Sequence, residues 1–402
     1  MTGLVIWRCY SFLQSTQGAA VQKSRGDGYD VVVVGAGIVG MACAWMAVRR
    51  GLSVAVVERD HRCVGASIRN FGFVTVTGQR AGATWRRAMR SRDLWAELAP
   101  KANIQVIHQG LWVLAQRPEA QAVLQAFSRS EMGEQCRLVG AEQAGREAPF
   151  LKTGSAQAAL YSPHELRVES RQAIGQLAHW LAEQQGVDFF FEHEAVGLVS
   201  GGLEITSARG QIRLAAERVV LAPGTALTGL AKPYLADLSL GLTQLQMLRV
   251  RPKADYRQTS AVMSDLSLVR YAGYTGLMAH RALLDRLEQE CPESLANGIH
   301  LIVVQSADGS LVVGDSHHPA ESVDPFGQEA VDQRILDHMA EAIHVGDYQV
   351  LDRWLGWYPV GGPDDALTLA PEPSLRVVCV TSGTGASTAF GLAEEVFDQW
   401  SN

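Results

Sequence analysis

The chain of 402 residues lacks a long apolar run, since no stretch approaches the roughly 18–20 apolar residues that a membrane-spanning helix needs. It also lacks a basic stripe: 35 Lys and Arg against 42 Asp and Glu give a formal net charge of −7, which argues against binding nucleic-acid phosphates. The six cysteines are scattered, with no Cys-x-x-Cys pair and no His/Cys cluster at metal-ligand spacing, so the sequence predicts no metal site. These absences favour a protein of the reducing cytoplasm, without a membrane span or a nucleic-acid partner.

The first 27 residues have little structural signal. They carry Arg8, Lys23 and Arg25 but no acid before Asp27, and the apolar piece Leu4–Trp7 is too short for a signal-peptide core. We interpret residues 1–27 as a disordered tail or as translation from an upstream start codon, with an organelle-targeting segment as the alternative. The rest, in a chain that is 47% apolar, can bury a substantial core and is expected to form two intimately joined domains.

The strongest pattern lies between Tyr29 and Asp60. An apolar run at Val31–Val34 is followed by a glycine-rich turn (residues 35–40), a helix-like stretch to Arg50 and a second apolar run that ends at Glu58. This pattern predicts a βαβ unit that binds a dinucleotide: its glycines would make the tight turn, admit a pyrophosphate and let helix and strand pack closely. The helix N-terminus would face the phosphates. Glu58 would accept hydrogen bonds from the ribose hydroxyls and repel an extra 2′-phosphate, which disfavours NADP.

Two further loops carry small residues. Residues 65–73, Gly-Ala-Ser-Ile-Arg-Asn-Phe-Gly-Phe, permit close approach to a large flat ligand, and Ser67, Arg69 and Asn70 can hydrogen-bond it. Residues 381–388, Thr-Ser-Gly-Thr-Gly-Ala-Ser-Thr, follow an apolar run and open the apolar helix Ala389–Trp400. The N-terminus of this helix could stabilise negative charge on a reduced flavin ring, so the paired glycine loops favour FAD over NAD.

The βαβ unit, Glu58 and the two loops resemble those of the D-amino-acid oxidase, glycine oxidase and sarcosine oxidase superfamily, and the resemblance runs from about Tyr29 to the C-terminus. It implies an α/β fold in which a Rossmann-like FAD-binding domain is interleaved with an antiparallel-sheet (α+β) substrate domain. The expected FAD-binding segments are 28–100, 166–235 and 351–402, and the expected substrate-domain segments are 101–165 and 236–350. Relatives with covalent flavin use a His near the first loop or a Cys before the last one. Since residues 65–73 contain no His and no Cys lies between Cys291 and Cys379, we expect noncovalent FAD.

The expected cofactor-binding residues lie in the glycine-rich turn, around Glu58, in the two loops and at a few isolated positions. Val196 resembles a position whose backbone contacts adenine, while Ala222 and Gly224 either contact the cofactor or only turn the chain. The full set is Gly35, Ala36, Gly37, Ile38, Val39, Gly40, Glu58, Arg59, Ala66, Ser67, Arg69, Asn70, Phe71, Val196, Ala222, Gly224, Tyr358, Gly383, Thr384, Gly385, Ala386, Ser387 and Thr388.

The predicted secondary structure of the substrate domain is rich in strands. We expect strands at Gln246–Arg251 and Ala261–Tyr271, and a hairpin of His300–Gln305 and Ser310–Val313 joined through Asp308-Gly309. Expected helices elsewhere are Thr84–Leu98, Pro118–Arg129, Ser170–Gln185 and Gln328–Ile343. The arginines of the first of these helices belong to a solvated face or, alternatively, to a funnel for an anionic substrate.

The resemblance implies FAD-dependent oxidation of a C–N bond, with hydride transfer to flavin N5, hydrolysis of the imine, and oxygen or another acceptor reoxidising the flavin. Glycine-oxidase-like members clamp the substrate carboxylate with an Arg where this chain has Val304-Gln305-Ser306, so that clamp is absent. Arg is suited to an anion, and His or Tyr to orienting an amine. Of the adjacent His317 and His318, only one can face the site on an extended chain. The candidate catalytic residues are Arg270, Tyr271, Tyr274 and His318.

Residues 69–72, the changed clamp and the C-terminal loop look like a branch of these oxidoreductases that is linked to aminophosphonate use. This resemblance implies an N-alkylated aminophosphonate, such as N-methyl-2-aminoethylphosphonate, as the substrate. Two alternatives stay open. One is a D-amino-acid or glycine oxidase or dehydrogenase with Arg270 as a relocated carboxylate clamp, and the other is a flavoprotein subunit that needs a partner for electron transfer.

Overall fold

Two β-sheets and the helices that cover them make up the molecule. The computed structural model describes residues 28–320 and 323–400, so the tail predicted at residues 1–27 lies outside the described part. The strands are β1 (Tyr29–Val34), β2 (Val54–Glu58), β3 (Phe73–Val74), β4 (Val106–Ala115), β5 (Arg137–Gly140), β6 (Ala158–Val168), β7 (Asp188–Phe191), β8 (Glu194–Val199), β9 (Gly202–Ser207), β10 (Gly210–Leu221), β11 (Leu240–Pro252), β12 (Ala261–Met263), β13 (Ile302–Gln305), β14 (Leu311–Gly314), β15 (His318–Ala320), β16 (Tyr348–Gly361), β17 (Ala366–Glu372) and β18 (Leu375–Val380). The helices are α1 (Ile38–Val48), α2 (Ala83–Lys101), α3 (Pro118–Ser128), α4 (Ala141–Glu147), α5 (Ser170–Gln185), α6 (Lys232–Leu235), α7 (Asp265–Arg270), α8 (Ala272–Thr275), α9 (His280–Glu290), α10 (Pro292–Ala296), α11 (Glu329–Ala342) and α12 (Gly385–Trp400).

The first sheet has the strand order β17-β18-β10-β1-β2-β7, extended by β9 and β8 beyond β10. Its centre is parallel, since β1 pairs with β2 and β10, β2 with β7, and β10 with β18 in parallel register. The valine-rich strands β1 and β2 are buried because parallel sheets are covered on both faces. Helices α1, α5 and α12 cover one face. This arrangement places the C-terminal ends of β1 and β18 at the same edge of the sheet.

The second sheet has the order β15-β11-β14-β13-β12-β4-β6-β3, with β16 paired to β11 and β5 to β6. It is antiparallel except for the β12–β4 pair. Its apolar face packs against a separate core that includes α3, α9 and α11. Strand β3 lies in the expected FAD-binding segment 28–100, and most of β16, up to Gly361, lies in the expected FAD-binding segment 351–402. Both strands nevertheless belong to this second sheet. The predicted α/β class with two interleaved sheets is confirmed.

Most of the predicted elements are present near the expected bounds. Helix α5 begins and ends where predicted, and the predicted hairpin forms as β13 and β14. The strand predicted at Ala261–Tyr271 was wrong, because only Ala261–Met263 is extended and α7 follows. The reason lies in the buried Asp265, whose carboxylate accepts hydrogen bonds from the Gln116 backbone N–H at 2.7 Å and from Arg117 Nη1 at 2.9 Å. A fixed acid in the first helical turn favours the helix.

Within residues 28–320 and 323–400, no helix combines the length and the apolarity that crossing a membrane requires.

Candidate active site

The glycine-rich turn leads from β1 into α1, and its glycines are required by close backbone packing. Gly35 has φ +104°, and a Cβ there would lie 2.4 Å from the Ala222 carbonyl oxygen. A Cβ on Gly40 would lie 1.8 Å from the Gly35 carbonyl oxygen, and one on Gly37 would lie 3.1 Å from Ser67 Oγ. The turn therefore leaves its own backbone open at the N-terminus of α1, where phosphates bind.

Glu58 ends β2 beside this turn. Its Oε2 accepts a hydrogen bond from the Ala36 N–H at 2.8 Å, and its Oε1 accepts one from the Asp60 N–H at 3.1 Å. The carboxylate is thus fixed against the glycine-rich turn. Two other predicted cofactor residues lie at the surface: Arg59 is exposed and pairs with Asp60 at 3.7 Å, and Val196 on β8 is 46% exposed.

The polar side chains of the loop at residues 65–73 line the cleft and also hold the loop in shape through hydrogen bonds within the protein. Ser67 Oγ accepts from the Ile38 N–H at 2.9 Å and so ties the loop to the start of α1. Asn70 Nδ2 donates to the Ala66 carbonyl at 2.9 Å, while its Oδ1 accepts from the Gly72 N–H at 2.7 Å. The side-chain amide of Asn70 therefore sets the shape of a small-residue turn.

Arg69 fastens the same loop to β16. Its Nε donates to the Val64 carbonyl at 2.8 Å and its Nη1 to the Leu355 carbonyl at 3.3 Å. The guanidinium also stacks over the Trp357 ring, 4.1 Å from its centroid. Burial lowers the pKa of Arg69 from its ordinary value.

The C-terminal glycine loop faces these segments from the end of β18. Gly383 has φ +72°, and a Cβ there would lie 2.6 Å from the Tyr358 ring, so the ring packs directly on the loop backbone. Helix α12 begins at Gly385, and Ser387 Oγ in its first turn accepts from the buried Thr75 N–H at 2.9 Å. Thr384 Oγ1 lies 2.8 Å from Ser382 Oγ. The N-terminus of this long helix is thereby held at the edge of the first sheet.

These segments line one cleft of about 420 Å³, to which the second sheet and α7 also contribute. It brings together most of the predicted site residues that lie after α1 begins. The predicted residues that line it are Ile38, Val39, Ala66, Ser67, Arg69, Asn70, Phe71, Gly224, Arg270, Tyr271, Tyr358, Gly383, Thr384, Gly385, Ala386 and Ser387. The glycines of the turn, Ala36, Glu58, Ala222 and Thr388 do not line the cleft.

Two predicted catalytic residues are not brought to the cleft. Tyr274 is fully buried and packs against Phe127, with ring centroids 4.8 Å apart. His318 belongs to β15, where it pairs with Gln244 of β11, and the preceding residue, His317, lines the cleft instead. Because alternate residues of an extended chain face opposite ways, it is His317 and not His318 that faces the cleft.

Arg270 and two tyrosines form the basic end of the cleft. Arg270 is the exposed last residue of α7, and its Nη2 donates to the Tyr358 hydroxyl at 3.4 Å. Burial raises the pKa of Tyr358 to about 12 and raises that of Tyr271 further above its usual value. Both phenols are therefore neutral hydrogen-bonding groups at physiological pH.

Three polar side chains meet beside Arg270, and sequence reasoning missed two of them, His300 and Asp315, while it weighed the third, His317, against His318. His300 Nε2 lies 3.0 Å from Asp315 Oδ1, and His317 Nε2 lies 3.8 Å from Asp315 Oδ2. The two imidazoles lie 5.0 Å apart at an interplanar angle of 23°. Burial raises the pKa of Asp315 to about 8, and burial with the charge of Arg270 lowers that of His300 to about 3. The pKa of His317 is likewise well below its ordinary value because of burial.

The signal for this cluster lies in the register of the predicted hairpin. Strand β13 pairs with β14 so that Ile302 lies opposite Gly314, and beyond that pair the register shifts by one residue, so that His300 and Asp315 exchange two backbone hydrogen bonds of 3.2 and 3.0 Å. His317 follows two residues after Asp315, which puts both on the same face of an extended chain. Extending the predicted hairpin would have brought Asp315 near His300, but the one-residue shift that pairs them has no signal in the sequence pattern.

The arginines of α2 do not form a funnel toward this cleft. Arg87 pairs with Glu395 at 2.8 Å and Arg90 with Glu394 at 2.6 Å, both on α12. Their charges are neutralised across the interface between the two helices.

The paired glycine loops, the fixed Glu58 and the two helix N-termini are the parts of a flavin dinucleotide site. A family model described as FAD-dependent oxidoreductase (DAO) matches residues 30–399. The chain belongs to this family. Its cofactor is FAD, and the residues fit it: a Cβ on Gly37 or Gly383 would crowd Ser67 Oγ or the Tyr358 ring, so both positions keep bare backbone, and the N-termini of α1 and α12 offer N–H groups to anionic parts of the molecule. When bound, FAD supplies a flavin ring that accepts a hydride equivalent.

Solved structures of FAD-dependent oxidoreductases share this fold at low sequence identity. Glycine oxidase from Bacillus cereus is 18% identical, with 93% of this chain and 95% of that chain covered and a TM-score of 0.73. Iminodiacetate oxidase from Chelativorans sp. BNC1 is 16% identical, with coverage of 91% and 94% and a TM-score of 0.68. L-α-glycerophosphate oxidase from Mycoplasma pneumoniae, solved with FAD bound, is 15% identical, with coverage of 93% and 95% and a TM-score of 0.70. No curated protein matches the chain significantly by sequence.

Proposed function

We propose that this FAD-dependent oxidoreductase oxidises the C–N bond of a small amine that also carries an anionic group. The observation that carries the proposal is that two of the three arginines in the cleft are held by other groups of the protein, whereas the third has no carboxylate partner in the part of the chain that the structure describes. Arg69 is engaged by two carbonyls and Trp357, and Arg80 is paired with Asp365 at 2.8 Å. Within the described residues the only hydrogen bond of Arg270 is to the Tyr358 hydroxyl, and no carboxylate there forms a salt bridge with it. Its exposed guanidinium is therefore available to bind an anion.

The names of the structural relatives support the same class of substrate. Glycine oxidase and iminodiacetate oxidase are named for amines that carry carboxylates, and glycerophosphate oxidase for an alcohol that carries a phosphate. All three names refer to a small molecule that carries an anionic group. The amine is preferred over the alcohol because the cleft also holds the buried Asp315 carboxyl beside Arg270, a group suited to an ammonium.

The more specific proposal is an N-alkylated aminophosphonate such as N-methyl-2-aminoethylphosphonate. Support comes from the position where glycine-oxidase-like members carry their carboxylate clamp. Gln305 there is buried, accepts from the Gln258 N–H at 2.8 Å and donates to the Tyr256 carbonyl at 2.9 Å, so it braces the hairpin and does not line the cleft. Arg270 is left as the anion-binding group, and its planar fork matches phosphonate as well as carboxylate oxygens. A glycine or D-amino-acid oxidase or dehydrogenase that uses Arg270 for the carboxylate is the second candidate.

An anaerobic titration of the purified, FAD-loaded protein tests both the general proposal of amine oxidation and the specific proposal of an aminophosphonate substrate. The panel is N-methyl-2-aminoethylphosphonate, 2-aminoethylphosphonate, glycine, sarcosine, D-alanine and L-α-glycerophosphate, and the measurement is bleaching of the flavin absorbance. Bleaching by the N-methyl aminophosphonate at the lowest concentration is the expected result. Preference for glycine or D-alanine would replace the phosphonate with the second candidate, and bleaching by glycerophosphate alone would overturn amine oxidation. If no amine bleaches the isolated protein but one does after a cell extract is added, the chain is a subunit that needs a partner.

A further inference from the structure

The cluster of His300, Asp315 and His317 has hydrogen-bonding capacity that the protein leaves unused. The Gly298 carbonyl lies 3.0 Å from His317 Nδ1. A carbonyl oxygen only accepts, so Nδ1 carries the proton, and Nε2 of the neutral ring turns a lone pair toward Asp315. Asp315 Oδ1 is buried without a hydrogen-bond partner within the described residues, although His300 Nε2 is only 3.0 Å away.

Acceptor atoms therefore converge at the wall of the cleft. All three side chains line it, and each is more than nine-tenths buried. Buried acceptors of this kind are stabilised by a donor with several N–H groups. Since Arg270 lies in the same cleft, a molecule with a cation at one end and an anion at the other would satisfy both groups.

We infer that Asp315, flanked by His300 and His317, is the subsite that binds the substrate ammonium and accepts its proton. The inference rests on the proposed amine oxidation and deepens it. In this step one ammonium N–H bond breaks and an O–H bond forms on the Asp315 carboxylate. The electron pair of the N–H bond stays on nitrogen as its lone pair. No electron leaves the substrate in this step, and the neutral amine is the form whose α-carbon gives up hydride.

The subsite narrows the class of substrate. A primary or secondary ammonium has at least two N–H groups, so after donating one proton to Asp315 it keeps one for His317 Nε2. A tertiary ammonium has a single N–H, and a quaternary ammonium has none. We expect primary and secondary amines to be oxidised, tertiary amines to be poor substrates, and quaternary analogues not to bind at this subsite.

The charged and titratable groups that face Asp315 fix the direction of the pH dependence. They are Arg270 from α7, Tyr271 after it, Tyr358 from β16, and the two histidines. Arg270 favours the carboxylate, but burial outweighs it and raises the pKa of Asp315 to about 8. At pH 7 the empty site therefore carries one proton on Asp315, and the free ammonium brings a second. In the complex the Asp315 carboxylate and the amine nitrogen share a single proton between them. Binding should release about one proton per site.

The experiment measures that proton directly. Substrate is titrated into the holoenzyme after anaerobic reduction of its flavin, which prevents turnover, and the heat is recorded at pH 7 in two buffers of different ionisation enthalpy. About one proton released by the wild-type protein is expected, with none for an ether analogue in which oxygen replaces the amine nitrogen. Because this readout needs no variant, absence of proton release from the wild type would overturn the inference even if every substitution misfolded.

Kinetics of Asp315→Asn provide the second readout. The wild-type kcat/KM should rise with pH through about 8. The variant should lose about 10²–10⁴-fold at pH 7 and follow only the titration of the free amine. The control is Asp347→Asn at an exposed carboxylate paired with Lys253, which should keep the wild-type profile. An unchanged pH profile in Asp315→Asn would refute the subsite while leaving amine oxidation standing. A stoichiometric transition metal in the purified protein, held by the same three side chains, would also overturn it.

Discussion

Arg270 is the residue on which anion selectivity should depend. Replacing it with Met removes the guanidinium and leaves the neutral Tyr358 hydroxyl in the cleft. Charge-assisted hydrogen bonds contribute about 1.5–3 kcal/mol each, so kcat/KM for an anionic amine should fall by about 10- to 150-fold. Steady-state kinetics should show most of this loss in KM. Oxidation of a matched amine without the anionic group should change little.

The matched control for that substitution is Arg281→Met, at an exposed position of α9 where the side chain pairs with Asp285 at 2.6 Å. Such a surface pair contributes little, so kinetics should stay within about twofold of wild type. Equal losses for anionic and neutral amines in Arg270→Met would show that the residue shapes the cleft and does not bind the anion.

At the scale of elements, the approach of α1 to β1 depends on Gly40. In Gly40→Ala the new methyl group would lie 1.8 Å from the Gly35 carbonyl oxygen, and backbone on both sides limits any adjustment. Overpacking of this kind typically costs about 1–3 kcal/mol or more, and it would move the turn that faces the cofactor. We expect a lower midpoint of urea unfolding and loss of bound FAD after gel filtration.

Gly175→Ala is the control, because Gly175 is exposed in the middle of α5 and a Cβ there meets nothing within 4 Å. An Ala in an exposed helix interior should stabilise the fold by about 0.5–1 kcal/mol. The two Gly-to-Ala changes thus have opposite expected signs. Retention of wild-type flavin content and unfolding midpoint by Gly40→Ala would contradict the packing argument.

A hydrogen bond joins the first turn of α12 to Thr75, the residue that follows β3. In Ser387→Ala the Thr75 N–H, which is buried, loses the Oγ that accepts it at 2.9 Å. An unpaired buried donor costs about 1–3 kcal/mol, and the urea midpoint should fall accordingly. Ser128→Ala, at an exposed hydroxyl that donates to the Gln125 carbonyl, should change stability by no more than about 0.5 kcal/mol. Similar effects of the two substitutions would mean that this link between the domains is weak.

For the molecule as a whole, local patterns predicted the fold well and the substrate end of the cleft less well. The glycine spacing and the valine-rich strands constrain short segments, so the βαβ unit and helix α5 could be predicted from neighbouring residues alone. Asp265 is different, because its partners Gln116 and Arg117 lie far away in the sequence, and they decide between helix and strand. The cluster around Asp315 depends on pairing across a hairpin, where a shift of one residue exchanges His317 for His318.

Acid stability is a property of the whole molecule, and His108 of β4 should lower it. Burial, with the charge of Arg167, lowers the pKa of His108 from 6.5 to about 3, and neither ring nitrogen has a hydrogen-bond partner within the described residues. Between pH 6.5 and about pH 3, His108 binds a proton in the unfolded chain but not in the folded chain. The folded state therefore loses stability as the pH falls below 6.5. At pH 4.5 the loss from this residue should be about 2–3 kcal/mol.

Replacing His108 with Leu removes this proton-linked term, so the difference between the urea unfolding free energies at pH 7 and pH 4.5 should shrink by about that amount. His300 contributes with the same sign, whereas Asp315 and Asp265, whose pKa values are raised, oppose it. These groups are present in both proteins, so comparing wild type with His108→Leu isolates the one residue. His179→Leu, on the exposed face of α5, is the matched control for replacing a histidine with leucine. An equal loss at pH 4.5 in wild type and His108→Leu would show that the buried imidazole gains its proton without unfolding the sheet around it.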